Sequence, residues 1–153
     1  MDMQALQAFL RRAKLATYAG QGDDASVTPL LPDSRQLEYT EGDWLYRDIY
    51  VGLTRFSGQE VVYFQGTAVW SMAYSGGVSE QVEDWRSVYA VLREALNAGP
   101  DQLPLRGPSR YMRDNWAYRC TLQGSLQDFH GDELLTQDGQ PVYSLRLCGG
   151  AVR

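Results

Sequence analysis

The chain is short of lysine, histidine and cysteine. Lys14 is its only lysine, His130 its only histidine, and Cys120 and Cys148 its only cysteines. One histidine and two distant cysteines cannot complete a Cys/His zinc site. No metal or other cofactor is expected, and a disulfide is not expected in a reducing compartment. No apolar run approaches the roughly 20 residues that cross a bilayer. The first residues, MDMQALQAFLRRAKL, form a charged amphipathic stretch with no signal-peptide core. Net charge is -5, the wrong sign for holding nucleic acid through its phosphates. No G-x-G-x-x-G joins a strand to a helix, and no G-K-[ST] is present, so a phosphate loop is excluded. The acidic pairs Asp23-Asp24 and Glu41/Asp43 lie in loops without converging oxygen ligands, and solvated charge is the expectation. The reading is a soluble cytoplasmic protein with neither nucleic acid nor membrane as partner.

What is present is an ordinary globular balance, 44% hydrophobic and 22% charged, in 153 residues. That length fits one domain. Ten tyrosines and four tryptophans exceed what a core alone needs. Leu6, Phe9, Leu10, Ala13 and Thr17 fall at helical spacing, which predicts a helix over 3–18 stopped by Gly20 and Gly22. A loop is expected over 19–35, then strands over 36–41, 43–51, 60–65 and 67–75, the last two turning at Gln65-Gly66. Val82, Trp85, Val88, Tyr89, Leu92 and Leu96 predict a second helix over 81–97. After a loop at 99–108, strands are expected over 109–113, 116–123, 132–137 and 141–148, with an Asp138-Gly139 hairpin turn.

Helix then strands thus occurs twice, and residues recur with it. Set ungapped over each other, 60–77 and 133–150 agree at six of 18 positions, where chance gives about one. Upstream, Trp44, Tyr46, Arg47 and Gly52 lie over Trp116, Tyr118, Arg119 and Gly124. More weakly, Ala8, Leu10, Arg11 and Ala13 lie over Ala90, Leu92, Arg93 and Ala95. The fold class expected is α+β: two pseudo-symmetric helix-plus-antiparallel-strands repeats, about 1–77 and 78–153, in one compact domain.

FLRRAKLATYAG at 9–20, YRDIYVGLTRFSGQEVVYFQG at 46–66, W-x-M-x-Y-x-G at 70–76 and RGP at 106–108 resemble the DUF5680 family, a bacterial domain family of unknown function. The resemblance implies a stand-alone sensor-like or interaction domain rather than an activity.

Alternation assigns sheet faces. The large aromatics set the inner face: Trp44, Tyr46, Asp48 and Tyr50 share it, with Trp70, Met72 and Tyr74 from the hairpin. An unbulged Gln65-Gly66 turn pairs Val62 with Val69 and sends Glu60, Val62 and Ser71 to the other face. Val62, Phe64, Val69, Leu135 and Val142 would make that face half apolar and in need of cover, from the other half or from a second chain. In the second case the partner expected is another copy of this chain, a homodimer. Arg47, Glu60 and Ser71 recur as Arg119, Glu133 and Ser144 and read as a cross-strand ion pair. His130 is placed in a turn, Cys120 in the core, and Cys148 where it is accessible.

The repeats differ most where charge is concerned. Asp48 lies over Cys120, Lys14 over Leu96, and Tyr50 and Tyr74 over Leu122 and Leu147. A charge on a packed face is costly unless paired. Asp48 and Lys14 are therefore expected to approach each other, with Tyr18, Tyr46, Tyr50, Trp70 and Tyr74 around them as a ligand pocket in the first repeat only. The functional reading is a small-molecule-binding or sensory domain. The alternatives are a non-enzymatic interaction module that forms homodimers, and an enzyme with Asp48 as general base.

Overall fold

A computed structural model describes residues 2–19 and 26–152, except the side chains of 18 and 19. Gly20, Gly22, Asp23, Asp24 and the Tyr18 side chain lie outside the described residues. Helix α1, Met3–Lys14, begins at Asp2, whose Oδ1 accepts from the amides of Gln4 (2.9 Å) and Ala5 (3.3 Å). That cap satisfies amides with no partner inside the helix. Leu6, Phe9, Leu10 and Ala13 form its buried stripe, and Arg11, Arg12 and Lys14 in the last turn suit its negative end. The α-helix ends four residues earlier than the spacing predicts. Leu15–Ala19 continue as a π-type turn, in which Thr17 is buried and donates to Ala13 O at 2.8 Å. Helix α2, Trp85–Asn97, starts at Asp84 and buries Val88, Val91, Leu92, Ala95 and Leu96. Val82 lies before it, because the Asp84 side chain caps the first turn at Ser87.

The strands are β1 (Ser26–Val27), β2 (Arg35–Glu41), β3 (Trp44–Gly52), β4 (Arg55–Phe64), β5 (Thr67–Val78), β6 (Arg110–Arg113), β7 (Trp116–Ser125), β8 (Asp128–Gln137) and β9 (Gln140–Ala151). They form one antiparallel sheet in the order β1-β2-β3-β4-β5-β9-β8-β7-β6. The protein is α+β, with both helices contributing to the same core as the sheet. β1 falls within the segment expected to be loop. β8 starts at Asp128, so His130 stands in a strand rather than a turn; the turn is at Leu126-Gln127.

One local irregularity corrects the assignment of faces. The β4–β5 ladder pairs Tyr63 with Ala68 but Val62 with Trp70, which leaves Val69 as an extra residue in β5. A shift of one residue moves every following side chain to the opposite face. Glu60 therefore pairs with Met72, not Ser71, and lies inside with Val62, Trp70, Met72 and Tyr74. The β8–β9 ladder shifts likewise between Leu135 and Thr136, which puts Glu133 and Leu135 inside with Tyr143 and Leu145. Val62, Leu135 and Val142 are consequently buried by the chain itself, Val69 packs against the core, and Phe64 lies against Trp44 at 4.6 Å between ring centroids. Val62, Leu135 and Val142 therefore do not make an uncovered outer face; Leu45, Ile49, Val61, Tyr63 and Leu134 are half-buried on that side instead, and Val51 is exposed. Polar groups share that side: Gln59, Ser75, Arg119, Asp132, Ser144 and Arg146 are exposed on it.

Candidate functional site

The inner face collects an ionic cluster between α1, the 99–108 loop and the sheet. Asp48 on β3 and Glu60 on β4 are direct cross-strand partners, and they are 1% and 0% exposed. Two adjacent buried carboxylates repel, so each needs compensation. Glu60 receives it from Lys14, whose Nζ donates to Oε1 at 2.8 Å and Oε2 at 2.6 Å. The third ammonium proton goes to Leu105 O at 2.7 Å, which fills the capacity of the lysine. Asp48 has a weaker partner: Tyr74 donates its hydroxyl to Oδ1 at 2.6 Å. Tyr74 reaches across Gly58, where an added Cβ would meet its hydroxyl at 2.4 Å.

Burial pushes the Asp48 carboxyl up to about 7, Glu60 adds to the shift, and the Tyr74 hydrogen bond, Lys14 and Arg106 work against it. Tyr46 crosses the same space. Its hydroxyl is fully buried and has no hydrogen-bond partner among the described residues. Burial, then the charges of Glu60 and Asp48, hold its phenol well above the ordinary tyrosine range. Glu60 acts on it through its charge and through a side-chain approach that falls outside strict hydrogen-bond geometry. An orphaned buried hydroxyl costs on the order of 1–3 kcal/mol.

A second buried pair lies beside the first. Arg106, next in sequence to Leu105, donates through Nε and Nη2 to Glu133. Tyr143 donates its hydroxyl to Glu133 Oε2 at 3.3 Å, and Tyr118 accepts from the Gly107 amide at 3.2 Å. Burial pushes the Cys120 thiol up to about 12, with Glu133 adding to it. Two cations thus match Glu60 and Glu133, and Asp48 remains as the surplus acid.

The structure brings Lys14, Tyr46, Asp48 and Tyr74 together, but through Glu60: the lysine's direct bonds go to Glu60 and Leu105, not to Asp48. Tyr50, half-buried, lies two residues beyond Asp48 on the same face. Trp70 is committed elsewhere, donating to Leu126 O at 3.1 Å and stacking on Phe129. Arg47, Glu60 and Ser71 do not form one set. Arg47 pairs with Glu38 at 2.7 Å on the outer side, and Ser71 donates to the Glu60 carbonyl. Glu60, Arg106 and Glu133 were missed as site members, although the recurrence of Glu60 as Glu133 was a signal. Glu41 is paired with Arg12 at 2.7 Å, and Asp43 accepts from Gln65.

Among the described residues no helix is long and apolar enough to cross a membrane, and no group of three or more metal-binding side chains converges. Neither the curated proteins nor the solved structures compared with this chain gave a match. The family comparison did, over residues 48–152, a span that holds Asp48, Glu60, Arg106 and Glu133 and begins after Lys14. The chain belongs to the DUF5680 family, described as a domain of unknown function.

Proposed function

We propose that this domain is a duplicated unit working as a small-molecule sensor, with its ligand site at Asp48 and Tyr46. The duplication draws support from matching irregularities. The register shifts after Val62 and Leu135 lie 73 positions apart. Gly52 and Gly124 share φ values of 93° and 95°, and the turn residues Gln65 and Asp138 share 49° and 50°. The N-caps Asp2 and Asp84 lie 82 positions apart, as do the buried Leu6/Val88, Phe9/Val91, Leu10/Leu92 and Ala13/Ala95. On that register Leu96 replaces Lys14, and a cation from a different place, Arg106, serves Glu133.

The observation that carries the ligand reading is the Tyr46 hydroxyl, buried and unpartnered beside a surplus carboxylate. Lys14 has no donor left, so an anion gains nothing from it. Asp48, once ionised, keeps one oxygen, Oδ2, as an acceptor, and the Tyr46 hydroxyl keeps its lone pairs beside its own unpaired proton. The complementary ligand end is a compact donor such as an ammonium, held among tyrosine rings. The π-type turn directly after Lys14 fits a functional boundary, where such turns recur, and the lysine side chain retains 14% exposure. In thermal-shift measurements ethanolamine should raise Tm of the natural protein, ethylene glycol should not, and Tyr46→Phe should lose the response. No shift with ethanolamine in the natural protein at millimolar concentration would remove this reading.

A further inference from the structure

We propose a second site on the opposite side of the sheet, which takes a small carboxylate-bearing molecule beside an accessible thiol. A groove of about 560 Å³ crosses β4, β5, β9, β8 and β7 there. Two cross-strand ranks make its floor. One runs Ser57–Ser75–Arg146–Asp132–Thr121, the other Ala73–Cys148–His130–Gln123, each neighbour a direct partner in register. All nine are exposed, so the side chains stand on the side away from the helices. Directly opposed side chains have Cβ atoms about 4.5–5.5 Å apart. Arg146, Cys148 and His130 thus share one small patch, although 16 residues separate His130 from Arg146 in sequence.

The chemistry points to a singly charged carboxylate. Arg146 makes no hydrogen bond or ion pair with any described residue, even with Asp132 opposite it. Its guanidinium fork matches a carboxylate bidentately. Thr121, Gln123 and the His130 imidazole add donors around it. Asp132 opposes a dianion such as phosphate more than a monoanionic group, and Ala73 gives an organic body apolar contact. Ser57 and Ser75 are already turned to the carbonyls of Tyr74 and Phe56. This site shares none of the residues proposed to hold the amine, apart from the Tyr74 backbone that borders the groove.

Alkylation of Cys148 reads the site without knowing the natural ligand. In each reaction the thiolate forms an S–C bond, the C–I bond breaks and iodide leaves. Iodoacetate carries a carboxylate and iodoacetamide does not. Cys120, buried, with its thiol pushed up to about 12, contributes little. The ratio of iodoacetate to iodoacetamide rates should fall about three- to five-fold in Arg146→Gln, the effect of one charge at about 5 Å in water. Propionate, a monoanion, should protect Cys148 of the natural protein from iodoacetamide, and more than inorganic phosphate does. An unchanged ratio in a folded Arg146→Gln protein overturns the proposal. So does absence of protection by propionate in the natural protein, which needs no variant, and so does protection by phosphate alone, which would reassign the ligand.

Discussion

Asp48 sets the chemistry of the inner cluster through what it lacks. Glu60 has a lysine and Glu133 an arginine, whereas Asp48 has only a phenol. Its carboxyl, raised from an ordinary aspartate value to about 7, binds a proton in the folded protein where the unfolded chain has lost it. Between about pH 4 and pH 7 the native state therefore holds more protons, and stability falls as pH rises through that window. The groups facing it are Glu60, Tyr46, Tyr74, Lys14 and Arg106. Asp48→Asn keeps an oxygen for Tyr74 and cannot ionise. It should raise Tm at pH 8, change it little at pH 5, and flatten the pH profile between them. A profile as steep in Asp48→Asn as in the natural protein would assign the slope to another group. Lys14 is the converse case. Its removal would leave Glu60 buried and uncompensated, a loss usually far greater than that of a surface pair.

At the scale of elements, caps and bulges place these residues. Each helix starts on an aspartate that accepts from first-turn amides, and each ends with its buried stripe over the sheet. Hydrogen bonds from the Ser87 side chain and backbone hold the Asp84 carboxyl below the usual range, so its contribution is present at neutral pH and fades as pH falls through its lowered folded value. Asp2→Ala and Asp84→Ala should each lower Tm by a few degrees at pH 7. The Asp84→Ala deficit should shrink in strongly acidic buffer, as differential scanning calorimetry would show; an equal deficit at both pH values would mean the cap acts without its charge. The bulge at Val69 has the larger structural effect. Helical periodicity and strand alternation were legible in the sequence because each repeats over several residues. The bulge was not, since it is one unpaired residue inside an otherwise alternating run, and it inverted Glu60 and Val62.

For the whole molecule, the seam between β5 and β9 joins the two halves. Gly76 faces Leu145 across it and Gly149 faces Met72. The strands approach so closely that a Cβ on Gly149 would meet Ser71 O at 2.1 Å and the Met72 Cα at 2.8 Å; on Gly76 it would meet Ser144 O at 2.2 Å. Backbone cannot yield as a side-chain tip can. Gly149→Ala should therefore destabilise by about 2 kcal/mol or more, in the range of overpacked cores, and urea unfolding should show a lower midpoint. A midpoint within error of the natural protein would mean that the seam relaxes freely. The same seam brings the Lys14–Glu60 and Arg106–Glu133 pairs side by side, with Leu105 O as the link between them.

The sequence by itself determined the α+β class, both helical stripes and both hairpin turns, because these depend on local spacing and residue type. It also put Tyr46, Asp48 and Tyr50 on one face, and Cys120 in the core, by simple alternation. The tertiary structure alone decided which acid meets Lys14, because that depended on a single bulged residue and on a loop carbonyl 91 positions away. It alone gathered Arg106 onto Glu133 and set His130 opposite Cys148. Those contacts arise from strand pairing across the chain, where the side chains carry no mark of their partner until register and face are fixed.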